Sequence, residues 1–380
     1  MTGCSVSVFA HSPFPIPTSV FTAEDNRFMA RALELAERGL YTTTPNPRVG
    51  CVIVRESMVV GEGWHERAGA PHAEVNALAQ AGQRSRGATA YVSLEPCAHQ
   101  GRTGPCSKAL VEAGVGRVVA ALQDPNPQVG GKGLEELRRA GIRADTGLME
   151  NEARELNIGF VSRMTRARPW VRMKIAASLD GRTALSNGKS QWITGEAARR
   201  DGHHWRARAC AVLTGGGTVH EDDPQLTVRE VATTRQPLRV VVDSKLETPP
   251  SARILAGGGT LVAAAREDKA KISALKAKGA EVVVMPNSAG KVELGDLLRE
   301  LARREMNEVH VEAGHRLNGS LVREGFVDEL LLYLAPGILG DKARGMFELP
   351  DLADLAGRRA LKIHDLRMVG EDVRVLARFA

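Results

Sequence analysis

Short β-rich runs alternate with helical segments along nearly the whole chain, and no other feature restricts the fold as tightly. Phe28, Met29, Ala32, Leu33 and Ala36 recur at helical spacing, with Thr22 placed to cap the helix and Gly39 to stop it. Residues 49–54 then read as a buried strand, 73–81 as a helix, 89–94 as a strand, 108–113 as a helix, 117–122 as a strand and 133–140 as a helix. Strand signals resume at 171–177, 211–213, 238–242, 260–265, 281–284, 308–311 and 329–334, interleaved with helices of which 196–209 is the first. Strands that alternate with helices bury both faces of a layered sheet, so the chain is α/β. Its 380 residues exceed what one core ordinarily holds. Charge density rises between Asn157 and Arg168, just before Pro169, and the boundary is placed there. The expected division is an irregular tail over 1–21, a first domain over 22–165 and a second over 166–380.

Composition narrows the function classes. Hydrophobic residues make up 43% and charged residues 25%, and no apolar run approaches the ~20 residues of a membrane helix. A net charge of +6 suits anionic ligands. Aromatics at 4%, and no basic block beyond pairs such as Arg199-Arg200, speak against nucleic acid, which needs stacking platforms. Cys4, Cys51, Cys97, Cys106 and Cys210 are too few and too scattered for a disulfide framework, which indicates a reducing, cytoplasmic setting and makes paired cysteines metal ligands. The first 21 residues hold no Lys or Arg, unlike a signal or transit peptide.

The chemistry concentrates in His72-Ala-Glu74, Glu95-Pro-Cys97 and Cys106. One imidazole and two thiolates make a three-ligand zinc set whose fourth position stays open for water, as a catalytic site requires. Zinc would acidify that water, and Glu74, two residues from the ligand His72, would shuttle its proton. If a helix begins near Pro71, His72 and Glu74 share its first turn, and Pro96 suggests that a second helix starts at Cys97. The order H-x-E, P-C, C resembles the zinc nucleoside deaminases. Here eight residues separate the two cysteines, where those enzymes usually have two.

A more specific resemblance covers nearly everything after residue 21. Asn46-Pro-Arg-Val-Gly50, Gly61-Glu-Gly-Trp-His65, Ala68-Gly-Ala-Pro-His-Ala-Glu74 and the stretch from Glu95 to Cys106 resemble the deaminase half of the bifunctional riboflavin-biosynthesis deaminase-reductases. Lys174-Ile-Ala-Ala-Ser-Leu-Asp-Gly-Arg-Thr183, Ser190-Gln-Trp-Ile-Thr-Gly195, Gly217-Thr-Val219, Asp222-Asp-Pro224, Leu226-Thr-Val-Arg229 and Val311-Glu-Ala-Gly314 resemble the reductase half. Gly104 departs from the family, which more often has a second proline there. The resemblance implies a cytidine-deaminase-like α/β/α layer domain followed by a dihydrofolate-reductase-like α/β domain, with one zinc ion per chain and NADPH. It implies removal of a ring amino group from a diaminopyrimidinone ribotide, then reduction of the ribosyl group to a ribityl chain. It places Asn46, His65, His99 and Arg102 on the first substrate, and Ser190, Arg206, Leu226, Arg229 and Glu312 on the second. Ala176, Trp192, Thr218, Asp222 and the segment Gly314, His315, Arg316, Leu317, Asn318, Gly319 and Ser320 fall to the dinucleotide, while Lys174 and Asp180 are candidates for positioning the sugar. The expected partner is a phosphorylated pyrimidine, with no nucleic acid and no membrane, and a homo-oligomer is expected.

Taken alone, the second half is less legible. No G-x-G-x-x-G follows a strand, so the Rossmann fingerprint is absent. Thr214-Gly-Gly-Gly-Thr218 reads as a loop after a strand, a place where backbone amides can approach phosphate. His203-His204 is no ligand pair, because adjacent helical residues point apart. Two rival readings of the zinc set are a base deaminase acting on tRNA, which leaves the second domain unexplained, and a structural zinc in a scaffold, which would need a fourth protein ligand.

Overall fold

The computed structural model describes residues 21–98 and 104–380. The tail before Phe21 and the candidate residues His99 and Arg102 lie outside the described residues.

The first part of the chain runs α1 (Ala23–Glu37), β1 (Gly50–Arg55), β2 (Met58–Trp64), α2 (Ala73–Ala81), β3 (Thr89–Val92), α3 (Cys106–Glu112), β4 (Arg117–Ala120), α4 (Lys132–Arg139), β5 (Arg143–Thr146), α5 (Glu150–Leu156) and α6 (Ile158–Arg166). Thr22 and Asp25 form a reciprocal capping box that starts α1. The sheet order is β2-β1-β3-β4-β5, antiparallel at β2-β1-β3 and parallel from β3 to β5. Alternation along the strands divides the core in two. Cys51, Ile53, Ala90 and Val92 face α2, α3 and α4, whereas Val52, Val54 and Tyr91 face α1, α5 and α6. This gives three layers, α/β/α.

The sequence reading did not anticipate β2. Glu56 and Ser57 both take positive φ (51° and 62°), the conformation of a tight two-residue hairpin turn. Gly61 and Gly63 break the strand pattern for a packing reason. A Cβ on Gly63 would lie 2.4 Å from the Ala73 carbonyl oxygen, so α2 can rest directly on the strand.

The second part runs β6 (Trp170–Ser178), β7 (Arg182–Ala184), α7 (Glu196–Arg208), β8 (Ala211–Gly215), α8 (Gly216–Asp222), β9 (Leu238–Val242), β10 (Thr260–Ala264), α9 (Lys269–Lys276), β11 (Ala280–Val284), α10 (Leu294–Arg303), β12 (Glu308–Val311), α11 (His315–Arg323), β13 (Glu329–Ala335), β14 (Arg344–Gly345), β15 (Leu361–Val369) and β16 (Asp372–Phe379). Nine strands form one mixed sheet in the order β11-β10-β9-β8-β12-β6-β13-β16-β15. It is parallel from β11 to β13 and closes with the antiparallel pairs β13-β16 and β16-β15. Strands β7 and β14 pair separately. The loop expected at 214–218 is instead a strand running to Gly215 and passing directly into α8.

One buried carboxylate ties the two parts together. Glu308, on β12, receives Arg48 at 2.8 Å, Arg172 at 3.0 Å and Arg208 at 2.8 Å, and its side chain is 1% exposed. Beside it, Asn157 is buried and accepts from the Arg48 amide while donating to the Arg48 carbonyl. Among the described residues, no helix is long and apolar enough to cross a membrane.

Candidate active sites

His72 precedes α2 as its N-cap residue but makes no capping hydrogen bond, so its ring is free to turn toward the cysteines. Its Nδ1 lies 3.2 Å from Cys106 Sγ and 3.6 Å from Cys97 Sγ. Zn–S bonds of about 2.3 Å and Zn–N bonds of about 2.0–2.1 Å at tetrahedral angles put N and S roughly 3.5 Å apart. The three donors therefore fit one zinc ion, and no fourth His, Cys, Asp or Glu joins the group among the described residues. The helix expected at Cys97 begins instead at Cys106. Cys97 sits in irregular chain, held as the Ser107 amide donates to its carbonyl and the Cys106 amide to its sulfur. A Cβ on Gly133 would lie 1.9 Å from the Pro96 carbonyl oxygen, so the start of α4 also braces this loop. The hydrogen bond from Cys106 and the neighbouring imidazole hold the Cys97 thiol well below its ordinary range, as a metal-binding thiolate needs.

Glu74 is buried in the first turn of α2, and burial pushes its carboxyl up to about 7. A carboxyl balanced near neutrality can both take and give a proton. His65 Nδ1–H donates to the Pro71 carbonyl at 3.1 Å, and Nε2 accepts from Asn46 Nδ2 at 3.0 Å. Burial lowers the His65 pKa and keeps the ring neutral, which suits that acceptor role. Asn46, His65, His72, Glu74 and Cys97 line a single pocket of about 280 Å³.

The second cleft is larger, about 760 Å³. Glu312 follows β12 and takes a two-pronged bond from Arg206 on α7, with Lys174 Nζ 3.7 Å away. Burial would raise the Glu312 pKa, but Arg206 and Lys174 outweigh it and hold the carboxylate far below its usual range. Burial pulls the Lys174 pKa down, against the pull of Glu312. Arg229 carries an exposed guanidinium that contacts Gln225 and Thr227, and its amide donates to His203 Nδ1. The N-termini of α8 and α11 carry no side-chain cap, and Thr218, Gly314 and His315 from their first turns line the same cleft. Uncapped amides at helix starts are anion-binding groups, so this wall fits the diphosphate of a dinucleotide.

The cytidine and deoxycytidylate deaminase zinc-binding region matches residues 22–122, and the RibD C-terminal domain matches 169–375. The riboflavin biosynthesis protein RibD of Escherichia coli K12 is 48% identical over 363 residues, 92% of this chain and 98% of that one. The chain belongs to the RibD family. The RibD of Aquifex aeolicus is 43% identical, over 92% of this chain and 97% of its own. The solved RibD of Acinetobacter baumannii aligns with a TM-score of 0.88 at 44% identity, covering 94% of this chain and 99% of that one. A deaminase/reductase from Thermotoga maritima aligns at 0.83 with 32% identity, over 94% and 99%. The chain is thus a two-part RibD enzyme, a deaminase domain followed by a reductase domain, with zinc and NADPH as its cofactors.

Within this RibD chain, Ser190, Arg206, Leu226, Arg229 and Glu312 line the second cleft, together with Ala176, Trp192, Thr218, Asp222, Gly314, His315 and Lys174. Leu317, Asn318, Gly319 and Ser320 continue down α11. Leu317 packs on the core, Asn318 Nδ2 donates to the Met346 carbonyl, and a Cβ on Gly319 would meet the Glu348 carbonyl at 2.1 Å. Arg316 lies toward Glu348. Asp180 is committed elsewhere: hydrogen bonds from Ser178 and the Leu339 and Gly340 amides hold its carboxyl at about 2.

Sequence reasoning passed over Glu95. Its carboxylate accepts from the amides of Asp124, Gly131, Gly133 and Leu134, which pins the wall of the deaminase pocket. Its place beside Pro96-Cys97 was the available signal. His203, Arg163 and Glu305 also line the sites, and nothing local in the sequence marks them.

Proposed function

We propose that the chain performs two successive reactions on one phosphorylated pyrimidine, with residues 22–165 carrying the first and 166–380 the second. The first converts 2,5-diamino-6-(5-phosphoribosylamino)pyrimidin-4(3H)-one to 5-amino-6-(5-phosphoribosylamino)uracil, and the second reduces the ribosyl group to a ribityl chain. The observation that carries this reading is the meeting of His72, Cys97 and Cys106 beside buried Glu74, in a pocket shared with Asn46 and His65. The T. maritima enzyme named for both activities supports the substrate assignment.

Zinc held by His72, Cys97 and Cys106 supplies Lewis acidity that makes water a nucleophile near neutral pH. Glu74 accepts the proton of the water that adds to the amine-bearing ring carbon and passes it to the departing amine, so water enters and ammonia leaves. The amide oxygen of Asn46 stays available to the ring edge because its Nδ2 is committed to His65.

In the second site NADPH supplies hydride. Reduction at the ribosyl anomeric carbon opens its bond to the ring oxygen, and that oxygen takes a proton. Lys174 is suited to donate it, being half-buried in the cleft with its pKa pulled down by desolvation. Glu312 orients Lys174 and Arg206, and Arg229 offers its exposed guanidinium to the phosphate.

A coupled assay tests the scheme by following ammonia release and dinucleotide oxidation separately. Glu74→Ala should abolish ammonia release and leave reduction of supplied 5-amino-6-(5-phosphoribosylamino)uracil intact. Loss of both activities in a folded variant would refute two independent sites.

We further propose a cytoplasmic homo-oligomer. Cys51, Cys97, Cys106 and Cys210 form no disulfide, which supports a reducing compartment. Edge strand β15 exposes Leu361, Ile363, Leu366 and Met368, a face suited to a second copy. Sedimentation velocity showing only monomer at micromolar concentration would refute the oligomer.

A further inference from the structure

We propose that Arg163 recognises the 5-phosphate of the substrate in the deaminase site, and that the second half of the chain positions it there through Asn307. This rests on the substrate reading given above.

Arg163 stands in the last turn of α6 and lines the zinc pocket with His65, Glu74 and Cys97. Among the described lining residues it is the one Lys or Arg. The same wall carries the carboxylates of Glu74, Glu95, Asp124 and Glu305, so a ligand phosphate needs a cation that is not already neutralised. Arg163 meets that condition, for among the described residues its guanidinium forms no ion pair.

Its hydrogen bonds leave the fork open. Nε donates to Asn307 Oδ1 at 2.7 Å, Nη2 makes a long 3.4 Å contact to the Pro45 carbonyl, and Nη1 has no hydrogen-bond partner among the described residues. A guanidinium has five N–H donors, and the planar pair matches two phosphate oxygens. The Phe160 ring lies over one side of the group, its centroid 5.9 Å from the guanidinium carbon.

The anchor belongs to the reductase half. Asn307 is buried just before β12, its amide donates to Cys210 Sγ at 3.2 Å, and its carbonyl accepts from Trp170 at 2.9 Å. Its Nδ2 donates to the Pro45 carbonyl at 2.9 Å, beside Asn46 of the pocket. Asn307 thus holds both the cation and the segment that carries Asn46. Glu305 faces the same cation from the second half without pairing with it, and its charge opposes an incoming phosphate.

The test is steady-state ammonia release by full-length, zinc-loaded enzyme, comparing the aminopyrimidine ribotide with its dephosphorylated riboside. Arg163→Met should raise KM for the ribotide by about tenfold to a hundredfold, the cost of one charge-assisted phosphate contact, with kcat within about twofold. KM for the riboside should not move, and Arg163→Lys should recover part of the loss. Competitive inhibition of ammonia release by D-ribose 5-phosphate should weaken in parallel. Asn307→Ala should raise the ribotide KM in the same direction with zinc content unchanged, and Glu305→Gln should lower it. An unchanged ratio of ribotide to riboside KM in Arg163→Met would overturn the proposal, as would a ribotide KM raised by Glu305→Gln. If wild-type enzyme releases no ammonia from either compound, the substrate reading itself fails.

Discussion

Glu308→Gln should destabilise the protein more than any exposed-charge substitution, because this carboxylate is the only ion-pair partner of Arg48 and Arg208 among the described residues. Arg172 retains Glu329 at 2.5 Å. The glutamine keeps one acceptor oxygen but removes the charge, leaving two guanidiniums without a counterion. Arg48 is 6% exposed and Arg208 17%. Breaking a buried pair of this kind costs about 3–5 kcal/mol. At about 2–4 °C per kcal/mol for a unit of 150–250 residues, the melting temperature should fall by roughly 6–20 °C. Burial would raise the Glu308 pKa, but Arg208, Arg48 and Arg172 hold it far below its ordinary value of 4.5. A depressed carboxylate contributes stability above that ordinary value and loses it as pH falls toward the folded value. The gap between variant and wild type should therefore be widest near neutral pH and narrow below pH 4.5. Differential scanning fluorimetry across pH reads both effects. A fall of less than about 3 °C at pH 7, or a gap independent of pH, would refute the reasoning.

Gly63→Ala would drive a Cβ to 2.4 Å from the Ala73 carbonyl and 2.6 Å from the Ala77 amide, displacing the helix that begins after His72. Zinc content should fall and ammonia release drop about a hundredfold while dinucleotide oxidation persists. Chelation of zinc should stop ammonia release and spare reduction, with metal analysis giving one zinc per active chain as the check. Arg229→Met should raise the reductase KM for its phosphorylated substrate by about tenfold to a hundredfold with little change in kcat, measured by dinucleotide absorbance. Asp25 is held at about 2 because, against the opposing effect of burial, it accepts from Thr22, Tyr91 and Arg117. Its stabilisation is present above its ordinary 3.8 and lost toward pH 2, so Asp25→Asn should flatten that stretch of the acid-unfolding curve.

The cluster of His72, Cys97 and Cys106 was legible because each residue sits in a short pattern whose chemistry is local. His72 and Glu74 share the start of one helix, and Cys97 and Cys106 are separated by a single loop. The buried strands were legible as well, since runs such as Gly50–Arg55 are apolar on both faces beneath two helical layers. By contrast, β15 escaped notice because its apolar residues are exposed and interspersed with Lys362, His364, Asp365 and Arg367, a pattern that a buried-strand search rejects. The helix start expected at Cys97 moved to Cys106 because Cys97 is held by amides from that later turn. Arg206, expected on the second substrate, lines the second cleft and there engages Glu312, 106 residues away, a pairing that no local pattern marks.

The amino-acid order by itself determined the layered α/β character, the candidate metal set of His72, Cys97 and Cys106 beside Glu74, and the likeness to a two-part enzyme, because periodicity and motif spacing are properties of neighbouring residues. Tertiary structure alone decided that Glu308 would gather Arg48, Arg172 and Arg208, and that Asn307 would reach Arg163 beside the deaminase pocket. Those contacts join residues as much as 260 positions apart, and a buried charge selects its partners by proximity in the folded core, where desolvation makes an unpaired group costly.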